Sequence, residues 1–479
     1  MPLILGTNSI KDTGFNVANS LRFNDDSSDS LERTQGTATS RRKFTLSTWL
    51  KRGNLTGSFQ FFASSYNSSN DRIGFYFNSD DTLAVFARNS SGTTLSRQTT
   101  AKFRDTSAWY HVVYRIDTTH GNASDRARMY VNGVQITSFQ STGDPSQNYD
   151  LELGTSSYTF YVGTYDNSQY FFDGYMAETV FLDGADHDAS FFGEFDSDSP
   201  TIWKPKDVSS LTFGNNGFYL NVPGPSTGQN ANGLGGDSSG NGNHFASSNL
   251  SAVDQSTDTC TNNFCTPNPL HPPRNGSVTF SEGNLKTVFT SYEQSPNGTI
   301  GAGAGKWYYE MKMSGTHARF GWCESHCPQG DTDSNDTFPA YAIYSNGSNG
   351  LSVYKNVTAR GVTANTGYTS FSAGDTVGIA FDIDNGKFYA HLNGTYYNSG
   401  NPANGTGALI TGITAQAGGL FLPYLNCGTS SSRTFEWNFG SPSHAISSGN
   451  ADANGFGNFE YAVPSGYFTL CTKNLAEFG

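Results

Sequence analysis

The chain has 479 residues, a formal net charge of −13 and a pI near 5.1, a balance that excludes the basic stripe of a nucleic-acid binder. Its 54 glycines, 36 phenylalanines and 25 tyrosines, against 5 methionines and 14% charged residues, describe pleated surfaces joined by turns. So long a chain exceeds one hydrophobic core and implies roughly two to four domains, all-β in class.

The first ten residues carry a short apolar patch without a charged lead or a long hydrophobic run. No later stretch approaches the ~18 apolar residues that cross a bilayer. The expectation is a product made in a cytoplasm without a signal peptide. Asn-X-Ser/Thr triplets at Asn54, Asn89 and Asn393 are then chance features of an Asn/Ser/Thr-rich chain.

Residues 1–207 read as one unit. Ser20-Leu21-Arg22-Phe23 opens a strand, and the basic cluster Arg41-Arg42-Lys43 leads into the strong alternator over 44–51. Residues 72–77 and 82–88 form a hairpin around Ser79-Asp80-Asp81; strands follow at 109–117, 128–134, 158–164 and 172–181. The stretch 186–194 has short helical amphipathicity. Turn signals at this density fit a sandwich of antiparallel sheets. Residues 208–275 shift to Gly, Ser, Asn and Pro, a connecting composition with a strand embedded at 217–222.

From 276 to 440 the pattern of a second sandwich appears. Val377, Ile379, Phe381 and Ile383 share one face, Phe388, Ala390 and Leu392 repeat it, and Asp384-Asn385-Gly386 supplies a tight turn between them. Residues 441–479 form a tail expected to pack back on a sandwich.

These motifs carry a resemblance. Ser-Leu-Arg-Phe at 20–23, Phe-Thr-Leu-Ser-Thr-Trp-Leu-Lys at 44–51, Trp-Tyr-His-Val-Val at 109–113, Met-Tyr-Val-Asn-Gly at 129–133 and Phe-Asp-Gly-Tyr-Met-Ala-Glu at 172–178 together resemble the laminin-G/concanavalin A-like lectin fold. Gly-Lys-Trp-Tyr-Tyr-Glu at 305–310 and the closing Asn-Phe-Gly at 438–440 resemble a SPRY (B30.2-like) domain. The layout, including Asp237-Ser238-Ser239-Gly240-Asn241-Gly242-Asn243 and the tail, is similar to virion proteins of marine tailed bacteriophages. That resemblance implies a fibre, spike or decoration protein at the virion surface, trimeric as fibres usually are. Its partners would be a host-surface glycan or protein and other virion proteins, with no nucleic acid and no membrane insertion. A purely structural decoration role and a glycan hydrolase are the alternatives.

Six cysteines, Cys260, Cys265, Cys323, Cys327, Cys427 and Cys471, all lie in the second half, so no disulfide framework holds the chain. Thiols are expected, with a Cys323–Cys327 bridge as the alternative. For catalysis, Glu194-Phe195-Asp196-Ser197-Asp198 is the nearest approach to a glycanase strand, but it ends in Asp and meets Ser199-Pro200. No nucleophile elbow or His-Glu-X-X-His is present, and Gly301-Ala302-Gly303-Ala304-Gly305 precedes a strand rather than a helix. His111, within an alternating strand, reads as a packed histidine. A non-enzymatic protein without a cofactor follows. Cys260/Cys265 and Cys323/Cys327 approach zinc-ligand spacing but neither is CxxC, and calcium stays open because Asp25, Asp26 and Asp29 cluster, as do Asp331, Asp333 and Asp336, though neither set has the spacing of a calcium loop.

Binding is expected where aromatic and amide side chains adjoin in loops, since a ring stacks on sugar C–H faces while an amide bonds hydroxyls. Tyr66-Asn67, Tyr165-Asp166-Asn167 and Tyr170 meet this pattern in the first domain. Tyr344 with Asn346, and Tyr354, meet it in the second.

Overall fold

The computed structural model describes residues 4–5, 9–55, 57–271, 277–290, 296–324, 340–345, 350–355, 362–363, 367–415, 419–427 and 431–479. The chain divides into two compact units, Thr13–Thr261 and Met1–Asp12 with Asn262–Gly479. Both are built from antiparallel sheets, and the single α-helix among the described residues is Thr472–Phe478.

In the unit Thr13–Thr261, two eight-stranded sheets enclose a core. One sheet has Lys43–Arg52 and Gly174–Asp183 at its centre, flanked by Tyr110–Asp117, Ala127–Val131 and Ser20–Phe23. The other runs Phe139–Gly143, Gly92–Lys102, Thr82–Asn89, Asp71–Phe77, Gln60–Ser68, Thr159–Val162, Ser30–Thr34 and Ala246–Ser248. Period-two alternation directs Leu46, Phe75, Val85, Tyr114 and Met176 into the shared core. Strand Gly174–Asp183 is buried at all ten positions because a second apolar layer, with Phe192, Val208 and Phe213, covers its outer side around Val180 and Leu182.

Residues 208–261 belong to this unit as structure. Phe218–Leu220 pairs with Gly174–Asp183, Ala246–Ser248 with Ser30–Thr34, and Gln255–Ser256 with Ser20–Phe23, so the segment adds strands to both sheets. Buried ion pairs fasten it: Lys51 Nζ lies 2.7 Å from Asp258, both 1% exposed, and Arg22 lies 2.8 Å from Asp254. Asp258 also accepts from the Trp109 indole at 3.3 Å.

The stretch 186–194 is not an amphipathic helix. Asp188 caps a single 3₁₀ turn, Ala189–Phe191, by accepting the Ser190 N–H, and the chain then extends as Gly193–Phe195 against Trp203–Pro205. The polar side chain at the cap and the glycine at the exit leave room for one turn only.

In the other unit, an antiparallel sheet centred on Lys306–Met313, Thr376–Asp382 and Arg433–Asn438 faces a five-stranded sheet centred on Ala340–Ser345 and Ala318–Glu324. Trp307, Tyr309, Trp322, Phe381 and Trp437 fill the space between. The hairpin read from sequence is present as Thr376–Asp382 and Lys387–Leu392, pairing Val377 with Leu392 and Phe381 with Phe388. Residues 441–479 pack here: Phe468–Thr469 adds a parallel strand, Leu475 enters the core, and Glu310 accepts the N–H groups of Glu460 and Tyr461 at 2.9 and 2.8 Å.

Removing one member of a buried pair leaves the other charge uncompensated. Asp258→Ala is expected to destabilise the first unit by about 3–5 kcal/mol, read as a lowered transition in calorimetry while the second unit's transition stays in place.

Candidate ligand-binding face

The second sheet of the first unit has two apolar faces, and only one meets the core. Cross-strand register places Phe61 opposite Tyr76, Ser64 opposite Gly74 and Tyr66 opposite Arg72; Gly74 in turn faces Phe86, and Ser64 faces Tyr161. All of these lie on the outer face, while Ala63, Ile73, Phe75, Val85 and Ala87 point inward. Phe61 and Tyr76 stack with centroids 4.5 Å apart, and Phe86 stands edge-on to both. Gly74 makes this packing possible, because a Cβ there would sit 2.4 Å from the Phe61 ring and 3.0 Å from the Phe86 ring.

The loop after Thr159–Val162 folds onto this floor. Tyr165 packs on Phe61 at 4.7 Å and on Tyr66 at 5.4 Å, and Tyr170 lies edge-on to Phe59 at 5.3 Å. The Arg72 guanidinium sits over the Phe86 ring at 5.6 Å and the Tyr165 ring at 5.3 Å, with its buried Nε making no hydrogen bond. Burial pushes the Tyr76 and Tyr165 hydroxyls above the usual phenol range, so both remain neutral donors. Tyr170 is 37% exposed and holds φ at +58°, a left-handed conformation that is strained for an aromatic residue.

Of the residues singled out from sequence, Tyr66, Tyr165 and Tyr170 converge on this face, and Asn67 lies exposed at the end of its strand. Asp166 and Asn167 are occupied in shaping the loop. Asp166 accepts from Ser168 and Gln169, while Asn167 accepts from Ser30 at 2.6 Å and donates to Glu32 at 3.3 Å. Sequence reading missed Phe61, Arg72, Tyr76, Phe86 and Tyr161. Their signal was present: alternating strands whose outward positions are aromatic rather than polar.

In the second unit, Tyr344 and Tyr354 meet on the outer face of the five-stranded sheet, with centroids 6.1 Å apart. Arg319 lies over both, 4.0 Å from the Tyr354 ring, and sits across the register from Asn426. Asn426 is buried, with neither side-chain amide atom hydrogen-bonded. Asn346, Cys327 and the acids Asp331, Asp333 and Asp336 lie outside the described residues.

The first acidic cluster is divided among separate partners. Asp29 accepts from the Asn24 N–H at 3.0 Å and the Ser27 hydroxyl at 2.8 Å, whereas Asp25 meets the buried Asp173 carboxyl. Asp173 is raised well above the carboxylate range by burial and then by Asp25, which favours its protonated form. Among the described residues no three His, Cys, Asp or Glu side chains gather as metal ligands. Cys323 is a buried thiol within 3.7 Å of Asn297 Oδ1.

Residues 25–188 match the family described as the concanavalin A-like lectin/glucanases superfamily, in its laminin-G form, and residues 306–440 match the SPRY domain. Lectin-like and SPRY domains are mostly binding modules. Among solved structures, the chain is similar to a SAP-like pentraxin from Limulus polyphemus, with 17% identity and a TM-score of 0.26 over 36% of this chain and 79% of that one. The SPRY domain of human HERC1 is similar at 13% identity and TM-score 0.23, over 32% and 87%. Domain 4 of the arabinanase AbnA from Geobacillus stearothermophilus, solved with arabinotriose, is similar at 18% identity and TM-score 0.24, over 32% and 64%. No curated protein sequence matches the chain.

Because the superfamily includes glucanases, the acids and bases need a chemical reading. Glu194 and Asp196 flank Lys204, but the strand ends at Phe195. Asp196 then turns to accept the N–H groups of Asp198 and Ser199 at 3.0 and 2.9 Å, so the alternation expected through Asp198 does not form. His111, Ser47 and Glu178 line a cavity of only 10 Å³, about the room for one water molecule. The Trp203 indole N–H donates to His111 Nδ1 at 3.0 Å, which leaves Nε2 carrying the proton and donating to Ser47 Oγ at 2.8 Å. A ring so held cannot take a proton from Ser47. Burial lowers its pKa to about 3 and keeps it neutral.

Glu178 sits at a bulge in Gly174–Asp183, bonded by the Tyr219 hydroxyl at 2.5 Å, and burial raises its pKa from 4.5 to about 7. The folded protein therefore keeps a proton that the unfolded chain releases. The contribution of Glu178 to stability is fully present below pH 4.5 and is lost as pH rises through about 7, about 3 kcal/mol in all. Glu178→Gln is expected to abolish this slope, as urea unfolding of the first unit between pH 4.5 and 7.5 will measure.

Proposed function

We propose that this chain is a surface protein of a tailed-bacteriophage virion, a tail-fibre, spike or head-fibre component, that grips a host-surface glycan without altering it. The outer aromatic face of the first unit carries the reading. Phe61, Tyr76 and Phe86 form a stacked floor, Arg72 lies across it, and the strained, exposed Tyr170 stands at its margin. Phe61 and Tyr165 are buried beneath the loop, so the rings left accessible, Tyr76, Phe86 and Tyr170, offer C–H/π contact to sugar rings and Arg72 a cation for hydroxyl or acidic groups, from a rigid sheet that loses little entropy on binding. The pair Tyr344 and Tyr354 under Arg319 provides a second, smaller surface of the same chemistry on the SPRY domain. Support for the virion comes from the layout of the chain, and the trimer follows from that class. Several copies on one particle would raise weak single-site affinity through avidity.

Purified protein is expected to bind host cells saturably, and soluble host surface polysaccharide is expected to compete. Saturable binding to capsids or tails alone would favour the decoration role instead, and imaging of the particle would locate the chain. Tyr170→Ala is expected to weaken polysaccharide binding about tenfold, while the melting temperature moves by less than about 4 °C. Unchanged affinity in this variant would remove the face from the binding mechanism.

A further inference from the structure

Four large hydrophobic side chains stand exposed among the described residues: Val134, Tyr170, Phe191 and Phe195. One belongs to the face described above. Of the other three, Phe195 lines an open groove of 480 Å³ in the same unit, and Val134 and Phe191 directly follow its lining residues Gly133 and Ser190 in the chain. Nothing in the glycan-binding face accounts for this second concentration.

The wall of the groove is held in one orientation. Trp203 stacks on His111 at 6.0 Å, and His111 stacks on Trp49 at 4.8 Å, so the indole is the outer plate of a three-ring pile fixed by its N–H bond to His111. Gly133 and Gly193 make room for it, since a Cβ at either would fall 2.3 or 2.6 Å from the indole. Phe195 meets Trp203 at 71° with centroids 4.9 Å apart, and its ring is 45% exposed. The two rings form a corner with one accessible apolar plane.

Polar groups of both signs complete the lining. Asp188 and Glu194 bring carboxylates; Lys206 brings an ammonium that donates to Ser190 O at 3.2 Å, and Lys204 stands 3.8 Å from Glu194. An anionic ligand would meet the two carboxylates and a cationic one Lys206, while Lys204 stays outside the lining, paired with Glu194 and Asp196. A neutral polyhydroxylated ring satisfies both, donating hydroxyls to Glu194 and accepting from Lys206 while its C–H face covers Phe195. The volume falls in the range of small-molecule sites.

We infer that this groove, walled by Phe195 and Trp203 and rimmed by Glu194 and Lys206, is a second saccharide site that takes one or two neutral sugar rings. It rests on the reading of the unit as a glycan binder, at a different place on its surface.

The test uses the full chain with cellobiose, maltose and lactose as neutral probes and glucuronic acid and glucosamine as charged ones, followed by saturation-transfer NMR and titration. At least one neutral disaccharide is expected to bind, more tightly than either charged sugar. Phe195→Ala, a change at an exposed ring, is expected to weaken that binding about tenfold, and Glu194→Gln is expected to weaken it while circular dichroism stays unchanged. Tyr170→Ala should leave it intact. Equal affinity in Phe195→Ala and the parent overturns the proposal, as does absence of binding by every neutral probe. Loss in Tyr170→Ala alone overturns the groove while sustaining the aromatic face.

Discussion

The constraint on which the first unit turns is the strict alternation of a sheet that is apolar on both sides. In Asp71–Phe77, Ile73, Phe75 and Phe77 enter the core, so Arg72, Gly74 and Tyr76 must point out. A one-residue slip would exchange these sets and place the arginine in the core. The register therefore fixes the chemistry of the outer face as firmly as it fixes the fold. An outer face with aromatic floor and cation is unlike the polar surface that usually completes a half-buried antiparallel sheet. Gly74 is the detail that flattens it, because two rings from neighbouring strands close over the missing side chain.

Composition misled where short strands were separated by tight turns. Residues 208–261 are rich in Gly, Ser and Asn, yet three strands of two or three residues each extend the sheets. Strands so short carry no readable alternation. Their placement is set by long-range groups: Asp258 on Lys51, Asp254 on Arg22, and Asp237 accepting the Tyr219 N–H at 2.9 Å. A sequence shows the charges but not which distant partner each one meets.

Longer elements were legible for the converse reason. Strands 20–23 and 44–51, the hairpin of 72–77 with 82–88, and the hairpin around Asp384-Asn385-Gly386 repeat a period of two long enough to be unmistakable. Gln60–Ser68 and Gly92–Lys102 escaped notice: the first opens with six consecutive buried residues across a bulge, and the second is mostly polar. At the face, pairing of aromatic with amide found Tyr66, Tyr165 and Tyr170 because these sit beside turn residues. It missed Phe61, Tyr76 and Phe86, which in one dimension look like core. The amides proved to be loop architecture, as the bonds of Asn167 to Ser30 and Glu32 show.

The interior titratable groups of this unit share a property that bears on function. His111 is kept neutral by burial, Glu178 stays protonated to about pH 7, and burial beside Asp25 favours the protonated form of Asp173. His111 and Glu178 are each bonded to a neighbour that fixes the protonation state, an indole and a phenol. Catalysis by acid and base needs groups that exchange protons with a bound substrate from an open site. Here the strongly perturbed groups are enclosed. Such enclosure fits the binding modules that lectin-like and SPRY domains mostly are. It also explains why the indole of Trp203 can serve two ends at once, closing the histidine on its inner side and offering a wall to the groove on its outer side.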